Sequence, residues 1–458
     1  MPTSSGQHPW VDALRVYLRL PVLAMLFLGF SAGLPFLLVF STLTTWLRTS
    51  GVEVAAIGFF SWIGLLYSIK FFWAPVVDAF RLPLLTRLLG QRRSWMLAGQ
   101  ALIMGGLLGL SSLDPASQLG AVALFALMVA FGSATQDIAI DAFRIESAED
   151  EVQAAMASTY IIGYRGGLIM AGAGALYLAS AFSWQVSYQC MAALTAVGMI
   201  TVLLRPEPPR QPLASRLAKE PRVRAFLRAS RGRPAWVRRT GAWLIGSVVC
   251  PFLDFFGRFG LGALGLLLFI GIYRISDLAM ASMAYPLYVD LGFSLDTIAT
   301  VTKVFGVIMS LLGGLVGGVL VVRYGIGRIL VLGATATVLT NLMFAWLALS
   351  GAQHSLLVLT IVGDNLSNGL ASAVFIAFLS SLTSRAYTAT QYALFSSLMT
   401  LPGKFLSGFG GLVVEGMGYP SFFVLASALG VPAILMALWV WRHHVRDPGD
   451  HAVSLDKP

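Results

Sequence analysis

The sequence predicts an all-α membrane protein of twelve transmembrane helices, arranged as six plus six. Three observations predict it. Of the 458 residues, 57% are hydrophobic and only 11% charged, against about 25% charged in a soluble domain. Apolar runs of about twenty residues, the length a spanning helix needs, recur from one end of the chain to the other. One stretch, 206–242, is rich in Pro and Arg and poor in long apolar runs, and it splits those runs into two sets of six.

The expected spans are 22–47, 55–78, 94–112, 119–141, 154–181 and 185–205 in the first half. In the second they are 261–289, 297–322, 328–350, 355–383, 391–416 and 419–441. The first run is too long for the apolar core of a signal peptide and lacks a small-residue cleavage site. Gly and Pro within spans are tolerated in lipid, where neighbouring helices satisfy the freed backbone groups. The stretch 243–260 is apolar but broken by Pro251, Gly257, Asp254 and Arg258. It is expected as an interfacial or partly re-entrant segment rather than a thirteenth span. The implied organisation is a six-helix bundle at 1–205, a basic linker with the interfacial segment at 206–260, a second bundle at 261–442, and a tail at 443–458.

Loop charges orient the bundle. Arg15 and Arg19 precede span 1, and Arg81, Arg87, Arg92 and Arg93 separate spans 2 and 3. Eleven Lys and Arg lie from Arg205 to Arg239, Arg323 and Arg328 flank the turn between spans 8 and 9, and Arg442 and Arg446 follow span 12. All fall on one side, and the other carries Arg48 alone. The positive-inside rule then puts both termini in the cytoplasm. It also accounts for the net charge of +10 without nucleic acid as a partner. The two cysteines, Cys190 and Cys250, lie toward opposite sides and have no metal-ligand spacing. His443 and His444 continue the basic tail from Arg442. No nucleophile elbow, zinc-protease helix, phosphate loop or soluble catalytic domain is present, so neither an enzyme, a metal nor a cofactor is expected.

Trp46, Trp73, Trp95, Trp184 and Trp441 fall near span ends and read as an interfacial belt. Tyr160, Tyr164, Tyr273 and Tyr285 lie within spans and are candidates to face a cavity.

The most informative stretch is Phe131–Glu146, FGSATQDIAIDAFRIE. It continues an apolar run and then places Gln136, Asp137, Asp141 and Arg144 within nine residues. On a helix, Asp137, Asp141 and Arg144 share one face. Ionisable groups at membrane depth are costly and face a bundle interior or a watery cavity, which makes them functional candidates. The other carboxylates within spans are Asp277 in span 7 and Asp364 in span 10. Cations fall on spans 2, 5, 8 and 11, as Lys70, Arg165, Lys303 and Lys404, and span 7 adds Arg274. Two readings compete. In one, these groups are structural ion pairs, such as Arg274 with Asp277. In the other, the cations bind an anionic substrate and a carboxylate carries a proton. Asp137 is the first choice for the proton, with Gln136 beside it and Arg165 on the next span.

The 6+6 plan with a basic middle loop resembles the major facilitator superfamily, whose halves each contain a 3+3 inverted repeat. Pro75-x-x-Asp78 with Arg92-Arg93, and Gly317-Gly318 through Arg328, look like degenerate copies of its loop motif, G-x-x-x-D-R-x-G-R-R. That motif implies a gating role for Asp78, Arg92 and Arg93, alongside Asp141 and Arg144. More narrowly, LGFSAGLPFLL (28–38), IGFFSWIGLLYSIKFFWAPVVD (57–78), RRSWMLAGQ (92–100), SATQDIAIDAFR (133–144), IGYRGGLIMAGAGALYLA (162–179) and YRISDLAMASMAYPLYVDLGF (273–293) resemble the AmpG-like muropeptide permeases. The match is dense in the first half and thinner in the second.

The resemblance implies proton-coupled import, across a bacterial inner membrane, of N-acetylglucosaminyl-1,6-anhydro-N-acetylmuramic acid with or without its stem peptide. Such import feeds wall recycling and, where an inducible regulator exists, β-lactam resistance. The family's important aspartate in this span falls on Asp137, the expected proton site, and the pattern's second aspartate on Asp141. An anionic glycopeptide would meet Gln136, Lys70, Tyr164, Arg165, Tyr273, Arg274, Asp277 and Lys404, through charge-assisted hydrogen bonds where the residue is cationic. The protein is expected to act as a monomer in the bilayer. Another bulky anion, such as an acyl-CoA or a siderophore, is the competing cargo.

Overall fold

Lipid offers no partner to backbone N–H and C=O groups, so a spanning chain must satisfy them within itself. Every element in the computed structural model is accordingly helical among the residues it describes, 16–147, 150–208, 221–383 and 388–444. Among the described residues, ten helical runs are long and apolar enough to cross a membrane, by length and composition, and a shorter apolar run covers Val54–Ile69. The fold is that of a multi-pass α-helical membrane protein.

The chain packs as two compact units. The first comprises Met1–Arg210 with Tyr288–Val304, and the second Gln211–Leu287 with Phe305–Pro458. This differs from the division expected at 206–260: the break falls at the linker's start, and a short segment from the second half packs into the first unit.

The first unit opens with α1 (Leu20–Leu38) and α2 (Ser41–Thr49). Then come α3 (Val54–Phe60), α4 (Leu65–Ile69), α5 (Ala74–Ala79) and α6 (Leu85–Leu89). The long helices α7 (Gln91–Ser111) and α8 (Leu119–Glu146) follow. Next, α9 (Asp150–Ile169) passes through a wide turn at Met170–Gly174 into α10 (Ala175–Ala181). α11 (Trp184–Leu194) and α12 (Ala196–Leu204) complete the set. The expected span 55–78 is therefore not one helix. Pro75 lies in the first turn of α5, where it cannot donate to the preceding turn, and Lys70–Phe72 tightens into a 3₁₀ turn.

Helices α1 and α9 touch backbone to backbone. A Cβ added at Gly163 would sit 1.9 Å from the Leu26 carbonyl oxygen, and one at Gly29 would sit 2.1 Å from that of Tyr160. Small residues at such crossings let helices approach and gain dispersion contacts that burial alone does not supply in lipid. Gly163→Ala is expected to push the helices apart and cost about 1–3 kcal/mol, the usual range for overpacking. Thermal unfolding of the detergent-purified variant measures this, and a wild-type midpoint would contradict the packing argument.

Trp46 departs from the expected interfacial belt. It is 2% exposed, stacks on Trp184 at 5.8 Å and packs on Tyr188 at 4.7 Å. Its ring fills the contact between α2 and α11.

The second unit begins with α13 (Pro221–Ala229) and α14 (Ala235–Leu244). A wide helical turn at Ile245–Val249 joins α14 to α15 (Cys250–Phe259), so the expected re-entrant stretch is continuous helix up to Gly260, whose φ of +53° ends it. Then follow α16 (Gly262–Ile272), α17 (Ile275–Asp290), α18 (Gly306–Tyr324), α19 (Ile326–Ser350) and α20 (His354–Leu382). The last are α21 (Thr388–Ser407), α22 (Gly410–Ala428) and α23 (Val431–His443). Gly418, at φ 78° and ψ 163°, breaks α22 where the sequence separates its last two spans. Helices α18 and α20 repeat the glycine device: a Cβ at Gly369 would meet the Ser310 carbonyl oxygen at 2.1 Å.

Candidate functional site

The site in the first unit is built on α8. Asp137 Oδ2 lies 3.6 Å from Lys70 Nζ, with the two side chains 17% and 34% exposed. That separation is an ion pair longer than a direct hydrogen bond. The break that ends α4 delivers Lys70 to α8, since Lys70 begins the 3₁₀ turn ahead of Pro75. The other carboxylate oxygen of Asp137, Oδ1, is buried and has no hydrogen-bond partner among the described residues. Tyr164, from α9, is half-buried and within electrostatic reach of Asp137. Tyr67, which nothing in the sequence singles out, also lies in the field of Asp137. One turn along α8, Asp141 is 55% exposed and pairs with Arg144 at 3.8 Å.

Two expectations about this neighbourhood are corrected. Gln136 does not face a cavity. It is fully buried, its Oε1 accepts from Ser31 Oγ at 2.9 Å, and its Nε2 donates to the Ser31 carbonyl at 3.0 Å. Successive residues on a helix point 100° apart, so the neighbour of Asp137 is turned onto α1. Arg165 is not the partner of Asp137. It is half-buried, and the cation paired with Asp137 is Lys70.

The paired arginines at the start of α7 bind within the first unit. Arg92 grips Glu146 with two bonds, Nε to Oε2 at 3.1 Å and Nη2 to Oε1 at 2.8 Å. Arg93 donates from Nε to the Val202 carbonyl at 2.8 Å and from Nη2 to that of Leu203 at 2.8 Å, satisfying the open end of α12. Glu207 accepts from the backbone N–H groups of Arg92 at 2.7 Å and Arg93 at 3.1 Å, a carboxylate on a helix N-terminus. Among the described side chains, Glu146 and Glu207 are acids that serve this pair. The side chain of Asp78, the acid expected from the loop motif, lies outside those described.

The segment Tyr288–Val304 is fastened to the first unit by polar contacts. Asp290 pairs with Arg48 through one guanidinium edge, Nη2 to Oδ2 at 2.9 Å and Nε to Oδ1. Tyr177 Oη and Thr300 Oγ1 are 2.6 Å apart. Lys303 is 3% exposed, donates to Ser41 Oγ, and lays its stem over Gly172, where a Cβ would meet its Cδ at 2.9 Å.

A second polar cluster lies in the second unit. Arg274 pairs with Asp277, donates from Nη1 to Ser372 Oγ at 2.6 Å, and donates from Nη2 to Asn368 Oδ1 at 3.0 Å. Asn368 Nδ2 donates in turn to Asp277 Oδ1 at 3.0 Å. Asp364, one turn before Asn368 on α20, is half-buried within the electrostatic field of Asp277 and Arg274. Asn368 and Ser372 were missed from the sequence, although Asp364, Asn368 and Ser372 recur every fourth residue and so form one helical stripe. Lys404 is half-buried on α21. Tyr273 is corrected: at 4% exposure it stacks on Phe375 at 4.3 Å and donates to the Leu330 carbonyl at 3.1 Å. It belongs to the apolar core of the second unit and presents no polar atom to a ligand. No group of three or more metal-ligating side chains occurs among the described residues.

These features can be set beside known proteins. The profile of the Major Facilitator Superfamily matches residues 63–403. The chain is 31% identical to the anhydromuropeptide permease of Escherichia coli K12 over 428 residues, 93% of this chain and 80% of that one. It is 32% identical to a Rickettsia conorii protein named as the transporter AmpG 4, over 90% of this chain and 94% of that one. Among solved structures, a peptide transporter POT variant in complex with sulfate aligns at TM-score 0.66 and 13% identity, over 92% of this chain and 94% of that one. The nucleoside transporter NupG aligns at TM-score 0.65 and 17% identity, over 93% and 99%. At such identities the likeness is one of fold.

Proposed function

The chain belongs to the Major Facilitator Superfamily, a membrane transporter and not an enzyme, and from that membership we propose that it imports anhydromuropeptides by proton symport. The cargo is N-acetylglucosaminyl-1,6-anhydro-N-acetylmuramic acid with or without its stem peptide, and the membrane is a bacterial inner membrane. The relation to an anhydromuropeptide permease supports the cargo. The observation that carries the coupling is the Lys70–Asp137 pair, with Asp137 Oδ1 left without a donor among the described residues.

A carboxylate held at membrane depth by one cation at 3.6 Å has two accessible states. Ionised, it is balanced by the Lys70 ammonium. Protonated, it frees that ammonium for an anionic group of the cargo, and its own hydroxyl can donate to a sugar or peptide oxygen. Protonation of Asp137 and binding of cargo to Lys70 therefore favour each other, which is the minimum needed to couple them in symport. Tyr164 and Arg165 line the same side of the scheme. Arg274 with Asp277, joined by Asn368 and Ser372, and Lys404 supply cargo contacts in the second unit. Asp141 with Arg144, and Arg92 and Arg93 with their glutamates, hold the helix ends that move in gating. The reading includes twelve spans in a 6+6 arrangement with inverted 3+3 repeats, cytoplasmic termini, and a monomer.

Uptake of radiolabelled anhydromuropeptide into proteoliposomes with an inward proton gradient tests it. Accumulation above the external concentration is expected, falling to simple equilibration with a protonophore. Competition by an acyl-CoA or a siderophore but not by anhydromuropeptide would replace the cargo. Uptake indifferent to the protonophore would remove the coupling.

A further inference from the structure

Residues 221–253 contain seven arginines and no acidic residue. They form the hairpin of α13 and α14 and continue helically into α15. None of the residues in the proposed transport scheme lies in this stretch. On α13, Arg224 and Arg228 are one turn apart on the exposed side, while Val223 is fully buried. Phe226 packs over Gly241 of α14, where a Cβ would meet its ring at 2.3 Å. The hairpin is therefore held closed by an inner apolar seam, and Arg222, Arg231 and Arg233 are exposed around its outside and turn.

The second helix of the hairpin has a different outer face. Trp236 is 71% exposed, and Trp243, seven residues on, shares its side of the helix. Further along the same helical run Leu244 is 45% exposed, Val249 42%, Phe252 37% and Leu253 49%. At 1.5 Å per residue, Trp236 and Leu253 are separated by about 25 Å along the axis. The exposed Arg231 and Arg233 of the turn and Trp236 thus lie at one end of this helical run, and aliphatic side chains are exposed toward the other. That gradient matches the passage from headgroups to hydrocarbon.

We propose that the α13–α14 hairpin is a docking surface for anionic phospholipid headgroups. Guanidinium groups bind phosphate oxygens in a bidentate fashion, and the indole of Trp236 sits at the headgroup boundary. A soluble acidic partner would satisfy the arginines but would leave Leu244, Val249 and Leu253 in water. The two sources of phosphate, a lipid and a free anion, differ in the same way. The inference is independent of which cargo the protein carries.

The test uses the full chain purified in detergent, with lipid binding counted by native mass spectrometry. The probes are dioctanoyl phosphatidylglycerol, dioctanoyl phosphatidylcholine and inorganic phosphate. Wild type is expected to prefer the anionic lipid at least about tenfold, since each arginine at an anionic surface contributes roughly fivefold. R222Q/R228Q/R231Q/R233Q is expected to lose most of that preference and keep its affinity for phosphatidylcholine. Should that variant not fold, R231Q/R233Q alters only the turn and gives the same readout. An unchanged preference in the variant that folds overturns the proposal. Equal displacement of the anionic lipid by inorganic phosphate also overturns it, in favour of a soluble-anion site.

Discussion

Asp137→Asn is expected to abolish gradient-driven uptake, lowering the initial rate by roughly a hundredfold or more, the scale on which losing a positioned proton-transfer group acts. Expression and thermal unfolding should stay close to wild type, because asparagine has the same shape and Asp137 makes one long ion pair, at 3.6 Å. The change removes the negative charge and leaves Lys70 in permanent readiness for an anion. Cargo exchange without a gradient should therefore survive better than accumulation against one. Measuring both in the same proteoliposomes separates coupling from binding. Full accumulation by the variant would show that the proton rides elsewhere. Asp141→Asn should do less, because that side chain is 55% exposed and already has Arg144 as a neighbour.

Truncation of Arg274 should destabilise the protein strongly. Arg274→Met leaves the Asp277 carboxylate, at 7% exposure, with the single Asn368 amide at 3.0 Å. Breaking one side of a buried pair costs about 3–5 kcal/mol, since the remaining charge is left uncompensated. The double variant Arg274→Met with Asp277→Leu removes both charges and should recover much of that loss. Thermal unfolding reads the stability, and uptake reads the role. A double variant that is stable but does not transport would place the pair in cargo binding. One that is stable and transports would make it purely architectural, which is the other reading the sequence leaves open.

Particular residues show where sequence reasoning stops. Asp137 was recognised because a carboxylate inside an apolar run is costly wherever it sits. Its partner stays open among the cations of spans 2, 5 and 11, because pairing depends on which helices touch. Arg165 lies one span on, but the 3₁₀ break at Lys70–Phe72 brings Lys70 instead. Gln136 and Asp137 are adjacent in sequence and differ by 100° around the helix, so one is locked onto Ser31 while the other meets Lys70. Tyr273 looked like a cavity residue by depth alone, yet its ring is stacked in the core. Glu146 stood inside the very stretch singled out, but nothing local says that Arg92 reaches it from α7.

By itself the sequence determined the membrane class, the approximate limits of most apolar runs, the separation of the last two at Gly418, and the residues whose charge is costly at depth. These are local quantities: hydropathy over twenty residues, a backbone angle open to glycine. Only the tertiary structure decided the pairing of those charges, the burial of Trp46, Gln136 and Tyr273, the closeness of α1 and α9 at Gly163, and the packing of Tyr288–Val304 with the first unit. Hydropathy within lipid is nearly uniform around each helix, so it does not say which side meets which neighbour. Small residues and polar contacts decide that, and their partners lie tens to hundreds of residues away in the chain.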